Sequence, residues 1–306
     1  MPRRDDLPEV IGVPSLAAVL GPRAAGTVVI LDGAMGTELE RRGVPMDADA
    51  WCGLANLTAI DSVRAIHDEN IAAGADVITT NTFMSGPGPM DRAGASDRFA
   101  EGIRNAARAA TEAVHSANRP VAIAGSVSCE TWAEPRASRR LRDDYALQID
   151  LLAQSGVDLI ALEMVTDEAH GSPALEAALA SGLPVWVGFS MRRAANPYET
   201  LPTIDEIRTV AERLLVPEID AVTVMHTDVV DAAEGLSMVR TLWDGPLGVY
   251  PHHGVWSEPN WTYLDMDPSK LVSYARVWLD QGVDILGVCC GLTADHVAAL
   301  RAAAGR

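Results

Sequence analysis

Short apolar runs alternate with longer amphipathic segments along nearly the whole chain, and this alternation limits the possible folds more than any other feature. Each run is rich in Val, Ile and Leu, which is typical of parallel strands buried on both faces. The predicted strands cover residues 28–33, 76–83, 121–128, 158–165, 184–191, 220–227, 246–254 and 284–291. The segments between them have helical spacing, as over residues 143–156, where Leu147, Leu151 and Leu152 form one stripe.

Eight strand–helix units in series predict an α/β fold, a closed (β/α)8 TIM barrel. Barrels of this kind reach 306 residues as one unit, so we expect a single domain, with residues 1–25 as a lead-in segment. A doubly wound open sheet is the alternative, but no GxGxxG motif follows the first predicted strand.

The formal net charge of −18 makes nucleic acid and anionic membrane surfaces poor partners, because their phosphates would be repelled. No apolar run reaches the roughly 18 residues that a membrane-spanning helix needs. The first residues, MPRRDDLPEV, lack the apolar stretch of a signal peptide. The chain has four cysteines, two of them adjacent, so we expect a cytoplasmic protein that uses cysteine for metal binding or catalysis.

Polar residues close the predicted strands one after another. In a (β/α)8 barrel the carboxyl ends of the strands form the active site, so these residues are candidates for chemistry. They are Asp32, Thr80, Asn81, Thr82, Ser126, Ser128, Glu163, Ser190, His226, Tyr250, His252, His253, Cys289 and Cys290.

The vicinal pair Cys289–Cys290 is the sharpest signal in this set. Two thiolates and one imidazole make a common zinc site with an open fourth position, and His226 closes the sixth strand, from which it can face the pair. A bound zinc ion lowers the pKa of an exogenous thiol and makes it a nucleophile at neutral pH. The alternative for the pair is two small buried apolar side chains.

Five motifs together resemble the homocysteine S-methyltransferase family, over about residues 28–303. They are LDGAMGTELERRG at 31–43, TTNTF at 79–83, GSV at 125–127, LEMVTD at 162–167 and GVCCG at 287–291. The resemblance implies a zinc-containing (β/α)8 barrel that moves a methyl group to the sulfur of homocysteine. The donor in that family is S-methylmethionine, S-adenosylmethionine, betaine or methylfolate, and this chain has no room for the extra domains of the folate-dependent members.

The resemblance also implies three metal ligands, with one departure from the family pattern. The family holds its metal with three cysteines, of which two match Cys289 and Cys290. The third closes the sixth strand in a pattern like G-V-N-C, where this chain has TVMH at 223–226, so His226 takes the place of that cysteine. Two smaller departures are Val288 in place of a glycine and His252 in place of the asparagine of a Tyr-Pro-Asn motif.

The substrate site implied by the resemblance consists of residues at the same strand ends. They are Asp32, Gly33, Asn81, Thr82, Ser126, Glu163, Tyr250 and His252. Glu163 and Asp32 would bind the ammonium group of the amino-acid substrate. Each has a structural alternative: an ion pair with a barrel arginine for Glu163, a turn-stabilising role for Asp32, and hydrogen bonding within its loop for Asn81. Tyr250, His252 and His253 would lie near the metal or at the rim.

Four tryptophans, at positions 51, 132, 256 and 261, fall in predicted loops near the barrel mouth. They would form an aromatic wall for a cationic methyl donor, or simply pack in their loops.

The leading hypothesis is therefore zinc-dependent methyl transfer from a small sulfonium or quaternary ammonium donor to a small-molecule thiol, most simply homocysteine, giving methionine. Because His226 replaces the usual cysteine, the alternative is action on another thiol or a selenol, or demethylation or hydrolysis of a related substrate. A third hypothesis, a binding barrel without metal, is disfavoured by the intact cysteine pair.

Overall fold

The computed structural model describes residues 27–129, 138–194, 201–257 and 260–305. Within these ranges, eight strands form one parallel sheet that curls into a barrel, with helices around its outside. This confirms the predicted (β/α)8 barrel over the doubly wound alternative. The lead-in segment predicted at residues 1–25 lies outside the described residues.

The strands of the barrel lie where the sequence predicts them. They are β1 Val29–Ile30, β2 Val77–Thr79, β3 Ala122–Ser128, β4 Leu159–Val165, β5 Val185–Phe189, β6 Ala221–Asp228, β7 Leu247–His252 and β10 Ile285–Leu286, with β8 Gly254–Ser257 and β9 Asn260–Tyr263 forming a separate hairpin. The helices are α1 Met35–Arg41, α2 Ala55–Thr58, α3 Ile60–Ala73, α4 Pro87–Arg92, α5 Phe99–Ser116, α6 Ser138–Gln154, α7 Glu168–Ala180, α8 Ile204–Leu214, α9 Ala232–Arg240, α10 Pro268–Asp280 and α11 Ala294–Ala303.

The sheet runs in the order β1-β10-β7-β6-β5-β4-β3-β2, and every neighbouring pair is parallel. A bridge between Leu31 and Val77 joins the two ends of this order. The backbone N–H of Asp32 donates to the carbonyl of Val77 at 3.0 Å there. The barrel is thereby closed between β1 and β2.

Alternate strand residues divide the core into two layers. One set, which includes Val29, Val77 and Ile285, packs inside the barrel. The other set, which includes Ile30 and Ile123, packs against the surrounding helices. The two layers account for the nearly continuous apolar runs, because both faces of each strand are buried.

The predicted helix over 143–156 belongs to α6, and Leu151 and Leu152 are buried as expected. The expectation for Leu147 is wrong, since its side chain is 49% exposed. Gly156 ends the helix with a φ of 82°, a left-handed conformation that favours glycine.

Four aspartates cap strand edges at the amino-terminal end of the barrel. Asp76, Asp158, Asp220 and Asp284 immediately precede β2, β4, β6 and β10. Each carboxylate accepts a hydrogen bond from a backbone N–H of the adjacent strand, at Ile30, Ile123, Val185 and Leu247 respectively, over 2.8–3.0 Å. The recurrent aspartate before alternate strands is thus a signal of strand pairing at the end opposite to the candidate site.

Several predicted strands end earlier than expected, and the difference is largest for two of them. The strand at 76–83 stops at Thr79, because the chain turns so that the Thr82 N–H donates to the Thr80 carbonyl at 2.8 Å. The strand at 284–291 stops at Leu286, although the N–H of Cys289 still donates to the Pro251 carbonyl of β7 at 2.8 Å. In both places the chain leaves regular pairing where the polar residues begin.

The β8–β9 hairpin was not predicted. It pairs Trp256 with Trp261 across an antiparallel ladder, so the placement of these tryptophans in loops is wrong. Trp132 lies outside the described residues. Among the helices of the described ranges, none combines the length and apolar character needed to cross a membrane.

Candidate active site

A cavity of about 100 Å³ opens at the carboxyl ends of the barrel strands. Most of the predicted site residues line it. They are Asp32, Gly33, Asn81, Ser126, Glu163, His226, Tyr250, Cys289 and Cys290. The residues that sequence analysis places at separate strand ends therefore share one cavity.

Three soft ligand atoms meet on one wall of this cavity. The Nδ1 atom of His226 lies 3.5 Å from the Sγ atom of Cys289, which lies 3.8 Å from the Sγ atom of Cys290. All three ligand atoms lie within 4.8 Å of one another. His226 and Cys290 are buried and Cys289 is partly buried, so the cluster is enclosed but open to the cavity.

Local backbone geometry turns these side chains toward one another. His226 has a φ of 40°, at a point where the pairing of β6 and β7 shifts register between Met225 and Asp228. On the other strand, Gly291 follows Cys290 with a φ of 82°. A Cβ atom at Gly291 would lie 1.9 Å from the His253 carbonyl oxygen, so only glycine fits the turn that ends the GVCCG motif.

Burial sets the protonation of the cluster. Burial, followed by the neighbouring His252, lowers the pKa of His226 well below its usual value, so its ring is neutral and can donate a lone pair to a metal. The rings of His226 and His252 are 4.5 Å apart between centroids. The hydrogen bond with Cys290, together with burial, raises the pKa of the Cys289 thiol well above its usual value. A cation is therefore needed to stabilise its thiolate.

Glu163 lies at the end of β4 with both carboxylate oxygens hydrogen-bonded. The Ser126 hydroxyl donates to one oxygen, and the Tyr250 hydroxyl donates to the other at 3.1 Å. Both partners in the described ranges are hydroxyls rather than an arginine, which does not support the ion-pair alternative. Burial raises the pKa of Glu163, and the two hydroxyls partly oppose this.

Asp32 is the second carboxylate of the cavity. It accepts hydrogen bonds from the backbone N–H of Thr79 at 2.7 Å and from the Thr79 hydroxyl at 2.6 Å. Burial raises the pKa of Asp32 to about 7, and the Thr79 hydrogen bonds oppose that rise. The N–H of the adjacent Gly33 donates to the Asn70 side chain at 3.0 Å, which fixes the turn after β1.

Three predicted site residues make contacts of a more structural kind. Asn81 lines the cavity, but its side-chain amide donates to the Cys52 carbonyl and to Asn56, at 3.0 Å each. Thr82 is buried outside the cavity lining, with its hydroxyl donating to the Ser126 carbonyl at 2.6 Å. His252 is likewise buried outside the lining, against the His226 ring.

Trp51 is the tryptophan that the structure places in the cavity wall. Its φ of 43° is left-handed, and its ring occupies the space beside Gly36. A Cβ atom at Gly36 would lie 2.2 Å from that ring, which explains the glycine in the first motif.

Three methionines that were not predicted as site residues line the cavity: Met35 and, at strand ends, Met164 and Met225. Met164 follows Glu163 with a φ of 55°, and Met225 precedes His226. Met164 and Met225 are each next to a predicted site residue in the sequence, and this proximity was the signal that could have identified them. They were missed because only polar residues at strand ends were taken as candidates. The non-glycine residues of left-handed φ in the described ranges are Trp51, Met164 and His226, and all three line this cavity.

The cavity has the chemical groups needed to bind a small molecule that carries both a sulfur atom and a cationic group. The imidazole and two thiols suit a metal that prefers nitrogen and sulfur, and with three protein ligands such a metal would keep a position for an exogenous sulfur. The two buried carboxylates suit an ammonium group. An amino-acid thiol carries both features.

Comparison with known proteins agrees with this geometry. The homocysteine S-methyltransferase family model matches residues 29–304. Homocysteine S-methyltransferase 2 of Arabidopsis thaliana is 25% identical, over 91% of this chain and 93% of the relative. Selenocysteine Se-methyltransferase of Brassica oleracea var. italica is also 25% identical, over 91% of this chain and 89% of the relative.

The barrel is also similar to a solved structure. The metallated form of the homocysteine methyltransferase MmuM from Escherichia coli superposes with a TM-score of 0.74 at 20% identity, covering 94% of this chain and 99% of that chain. This likeness supports the fold. Since the family match spans nearly the whole barrel and its cavity, the chain belongs to the homocysteine S-methyltransferase family and is a methyltransferase.

Proposed function

We propose that the protein uses zinc to transfer a methyl group from a small sulfonium or quaternary ammonium donor to the thiol of homocysteine, giving methionine. The observation that carries this proposal is the sharing of one cavity by the His226, Cys289 and Cys290 cluster and the carboxylates of Asp32 and Glu163. Family membership supports methyl transfer to an amino-acid thiol.

Two of the three separations between the ligand atoms fit a tetrahedral zinc ion. Zn–S bonds of about 2.3 Å and Zn–N bonds of about 2.0–2.1 Å place two sulfurs about 3.8 Å apart, and a sulfur and a nitrogen about 3.5 Å apart. The observed separations are 3.8 Å between the two sulfurs and 3.5 Å between Cys289 Sγ and His226 Nδ1. The third ligand pair lies within 4.8 Å, so the cluster is compact enough for one ion, and the two shorter separations support zinc.

His226, Cys289 and Cys290 would hold the ion, with His226 binding through Nδ1. When bound, zinc lowers the pKa of an acceptor thiol, so that its sulfur is a nucleophilic thiolate at neutral pH. Two thiolates and a neutral imidazole leave the site with a formal charge of about zero, against about −1 for three thiolates. The neutral form of His226 is the one that its buried surroundings favour.

Glu163 and Asp32 would bind the ammonium group of the acceptor. Ser126 and Tyr250 hold the Glu163 carboxylate in place, and Thr79 holds that of Asp32. A bound ammonium supplies the positive charge that these buried carboxylates otherwise lack, and so favours their ionised forms. Gly33, Asn81, Thr82 and His252 would support the walls of this site through the contacts described above.

The apolar part of the cavity would receive the methyl donor. Trp51, Phe83 and Met35 line it, and the face of Trp51 can attract a sulfonium or quaternary ammonium through its π electrons. In the transfer, the acceptor sulfur forms a bond to the methyl carbon while the bond from that carbon to the donor heteroatom breaks. The bonding pair stays on the donor, which leaves as a neutral thioether or tertiary amine. The residues contribute by aligning donor and acceptor.

A selenol is the second candidate acceptor. Two observations favour it: the similarity to a selenocysteine Se-methyltransferase, and His226 in place of a cysteine. A site of lower negative charge repels an incoming selenolate or thiolate less. Selenols are more acidic than thiols and need less help to ionise.

We also propose a role in methionine biosynthesis and a cytoplasmic location. The proposed product is methionine, and the metal ligands Cys289 and Cys290 must stay reduced, as they do in a reducing compartment. Both partners of the enzyme are then small molecules, the thiol and the methyl donor.

The test combines metal analysis with a panel of donors and acceptors. The protein is expressed with added zinc, and its zinc content is measured together with methylation of homocysteine and selenocysteine by S-methylmethionine, S-adenosylmethionine and betaine. We expect about one zinc per chain and methylation of homocysteine by at least one donor.

His226→Ala provides the matched variant and should lower zinc content together with activity. Absence of zinc from pure protein would contradict the proposal, and so would bound zinc without methylation of homocysteine by any donor. Methylation of selenocysteine alone would select the second candidate.

A further inference from the structure

The thioether of Met225 connects two irregular strand ends at the base of the cavity. Its Sδ atom accepts a hydrogen bond from the backbone N–H of Met164 at 3.2 Å. The Ser190 hydroxyl lies 2.9 Å from the Met225 carbonyl oxygen and 3.0 Å from the sulfur, so its one proton is shared between these two acceptors. The side chain is buried, so both contacts of the sulfur are shielded from water.

The N–H that bonds to this sulfur belongs to a strained residue. Met164 has a φ of 55°, and the pairing of β4 with β5 shifts register between Leu162 and Val165, on either side of it. Left-handed backbone in a residue other than glycine persists only where the surroundings hold it. Within the described contacts, the Met225 sulfur is the acceptor that satisfies the Met164 N–H in this conformation.

Met164 immediately follows Glu163, so a change in its backbone conformation would displace the end of β4 on which the Glu163 side chain lies. A relaxed, extended Met164 would restore the regular alternation of β4 and rotate the residues beside it. The two hydroxyls that bond to Glu163 come from Ser126 of β3 and Tyr250 of β7, and both meet the carboxylate in the observed direction of its side chain.

We infer that Met225 is a positioning residue for acceptor binding: its sulfur holds the turn at Met164 that aims the Glu163 carboxylate at the substrate ammonium. This inference rests on the proposed function, in which Glu163 binds that ammonium. It also links the two halves of the site, because Met225 is the residue before His226 on β6.

A second contact places Met225 firmly. A Cβ atom at Gly188 of β5 would lie 2.7 Å from Met225 Cγ and 3.1 Å from the Tyr250 hydroxyl. Because Gly188 has no side chain, the Met225 side chain and the Tyr250 hydroxyl can both occupy the space beside it. The thioether therefore occupies a defined place rather than filling an irregular gap.

The test measures binding of two acceptors that differ only in the ammonium group. Homocysteine and its des-amino analogue, 4-mercaptobutanoate, are titrated into zinc-loaded protein by calorimetry. In Met225→Leu, which keeps the apolar volume and removes the sulfur, Kd for homocysteine should rise about tenfold, while Kd for the analogue changes less than about twofold. Met225→Gln returns a hydrogen-bond acceptor to the same place and should bring Kd for homocysteine to within about threefold of the original.

Ser190→Ala supplies a milder variant that leaves the cavity lining intact, and Kd for homocysteine should rise about threefold. Zinc content and thermal midpoint are measured for each variant.

Unchanged discrimination between the two acceptors in both Met225→Leu and Ser190→Ala would overturn the inference. Equal losses for both acceptors, or loss of zinc, would overturn it too, because these results indicate a general structural role. Failure of the proposed function is distinct, since it would already show in the unaltered protein as no preference for homocysteine over the analogue.

Discussion

Asp32 and Asp76 hold opposite ends of the same pair of strands, β1 and β2. Each is buried, with 3% of Asp32 and 6% of Asp76 exposed, and each accepts a backbone N–H from the other strand, Thr79 at 2.7 Å and Ile30 at 3.0 Å. At the amino-terminal end, Arg119 and Arg301 lie 3.3 Å and 3.6 Å from the Asp76 carboxylate. Among the described residues no arginine or lysine forms an ion pair with Asp32.

The difference indicates how one residue type can stabilise the fold at one end of a barrel and, as we propose for Asp32, bind a ligand at the other. The charge of Asp76 is compensated within the protein, so removing it costs folding free energy. The charge of Asp32 has no cationic partner within the described ranges, and burial raises its pKa to about 7. Such a carboxylate is destabilised until a cationic ligand arrives, which is the property expected of a binding group.

The largest expected effect is on catalysis in Asp32→Asn. The change removes the charge and keeps an oxygen that can accept from Thr79. We expect kcat/KM for homocysteine to fall about 100-fold, because one partner of a buried charge pair with the ammonium is lost. The thermal midpoint at pH 8 should not fall, because burial opposes the ionised carboxylate in the folded protein above its raised pKa. A marked loss of stability with unchanged kinetics would show that Asp32 stabilises the fold and does not bind the substrate.

The matched change at the other end is Asp76→Asn. It should lower the free energy of unfolding by about 2 kcal/mol, because Arg119 and Arg301 lose a charged partner that is largely buried. kcat/KM should stay within about twofold, since Asp76 is far from the cavity at the opposite end of the strand. Urea unfolding and steady-state kinetics on the same preparation decide the matter. A loss of activity without a loss of stability would show that the two ends are not separated in function.

A pH series sharpens the comparison further. With a pKa of about 7, Asp32 is mostly protonated at pH 6 and mostly ionised at pH 8. The acceptor thiol loses its own proton when it binds as a thiolate, and this contributes equally to the pH dependence in both proteins. Because only the ionised form of Asp32 attracts the ammonium, Kd for homocysteine should fall about tenfold more between pH 6 and pH 8 in the unaltered protein than in Asp32→Asn. The same slope in both proteins would mean that Asp32 does not bind the ammonium.

His67 of α3 is a third kind of buried ionisable group. Replacing it should have the smallest effect of these changes, and the effect should be on the pH dependence of stability. Its ring nitrogens have no hydrogen-bond partner within the described residues, and burial, with Arg64 nearby, lowers its pKa to about 3. The unfolded chain takes up a proton near pH 6.5 while the folded one does not, so stability is lost as pH falls below that value. His67→Leu should reduce the loss of unfolding free energy between pH 7 and pH 5.5 by about 1 kcal/mol. An identical pH dependence in both proteins would contradict this.

Much of the fold and the metal cluster could be predicted because they follow from periodicity and from residue type. Apolar runs of strand length fix the order of the barrel, and its carboxyl-terminal edge is where polar strand ends must meet. Cys289, Cys290 and His226 could be grouped for that reason before any distance was known.

The remaining features depend on departures from regular geometry, which local pattern does not encode. The strand after Asp76 ends at Thr79 because the chain turns at Thr80, and the β8–β9 hairpin forms where only loops were expected. The hydrogen bond from the Met164 N–H to the Met225 sulfur joins residues 61 positions apart. Such contacts arise from register shifts in β4 and β6 and have no signature in a single sequence.

The central claim is that His226, Cys289 and Cys290 hold a zinc ion whose remaining position receives the sulfur of homocysteine. X-ray absorption at the zinc edge, recorded on the zinc-loaded protein with and without homocysteine, tests it most directly. We expect two sulfurs at about 2.3 Å and at least one nitrogen at about 2.0–2.1 Å without homocysteine, and a third sulfur on its addition. A sulfur count that stays at two with saturating homocysteine, or a zinc ion without sulfur ligands, would contradict it.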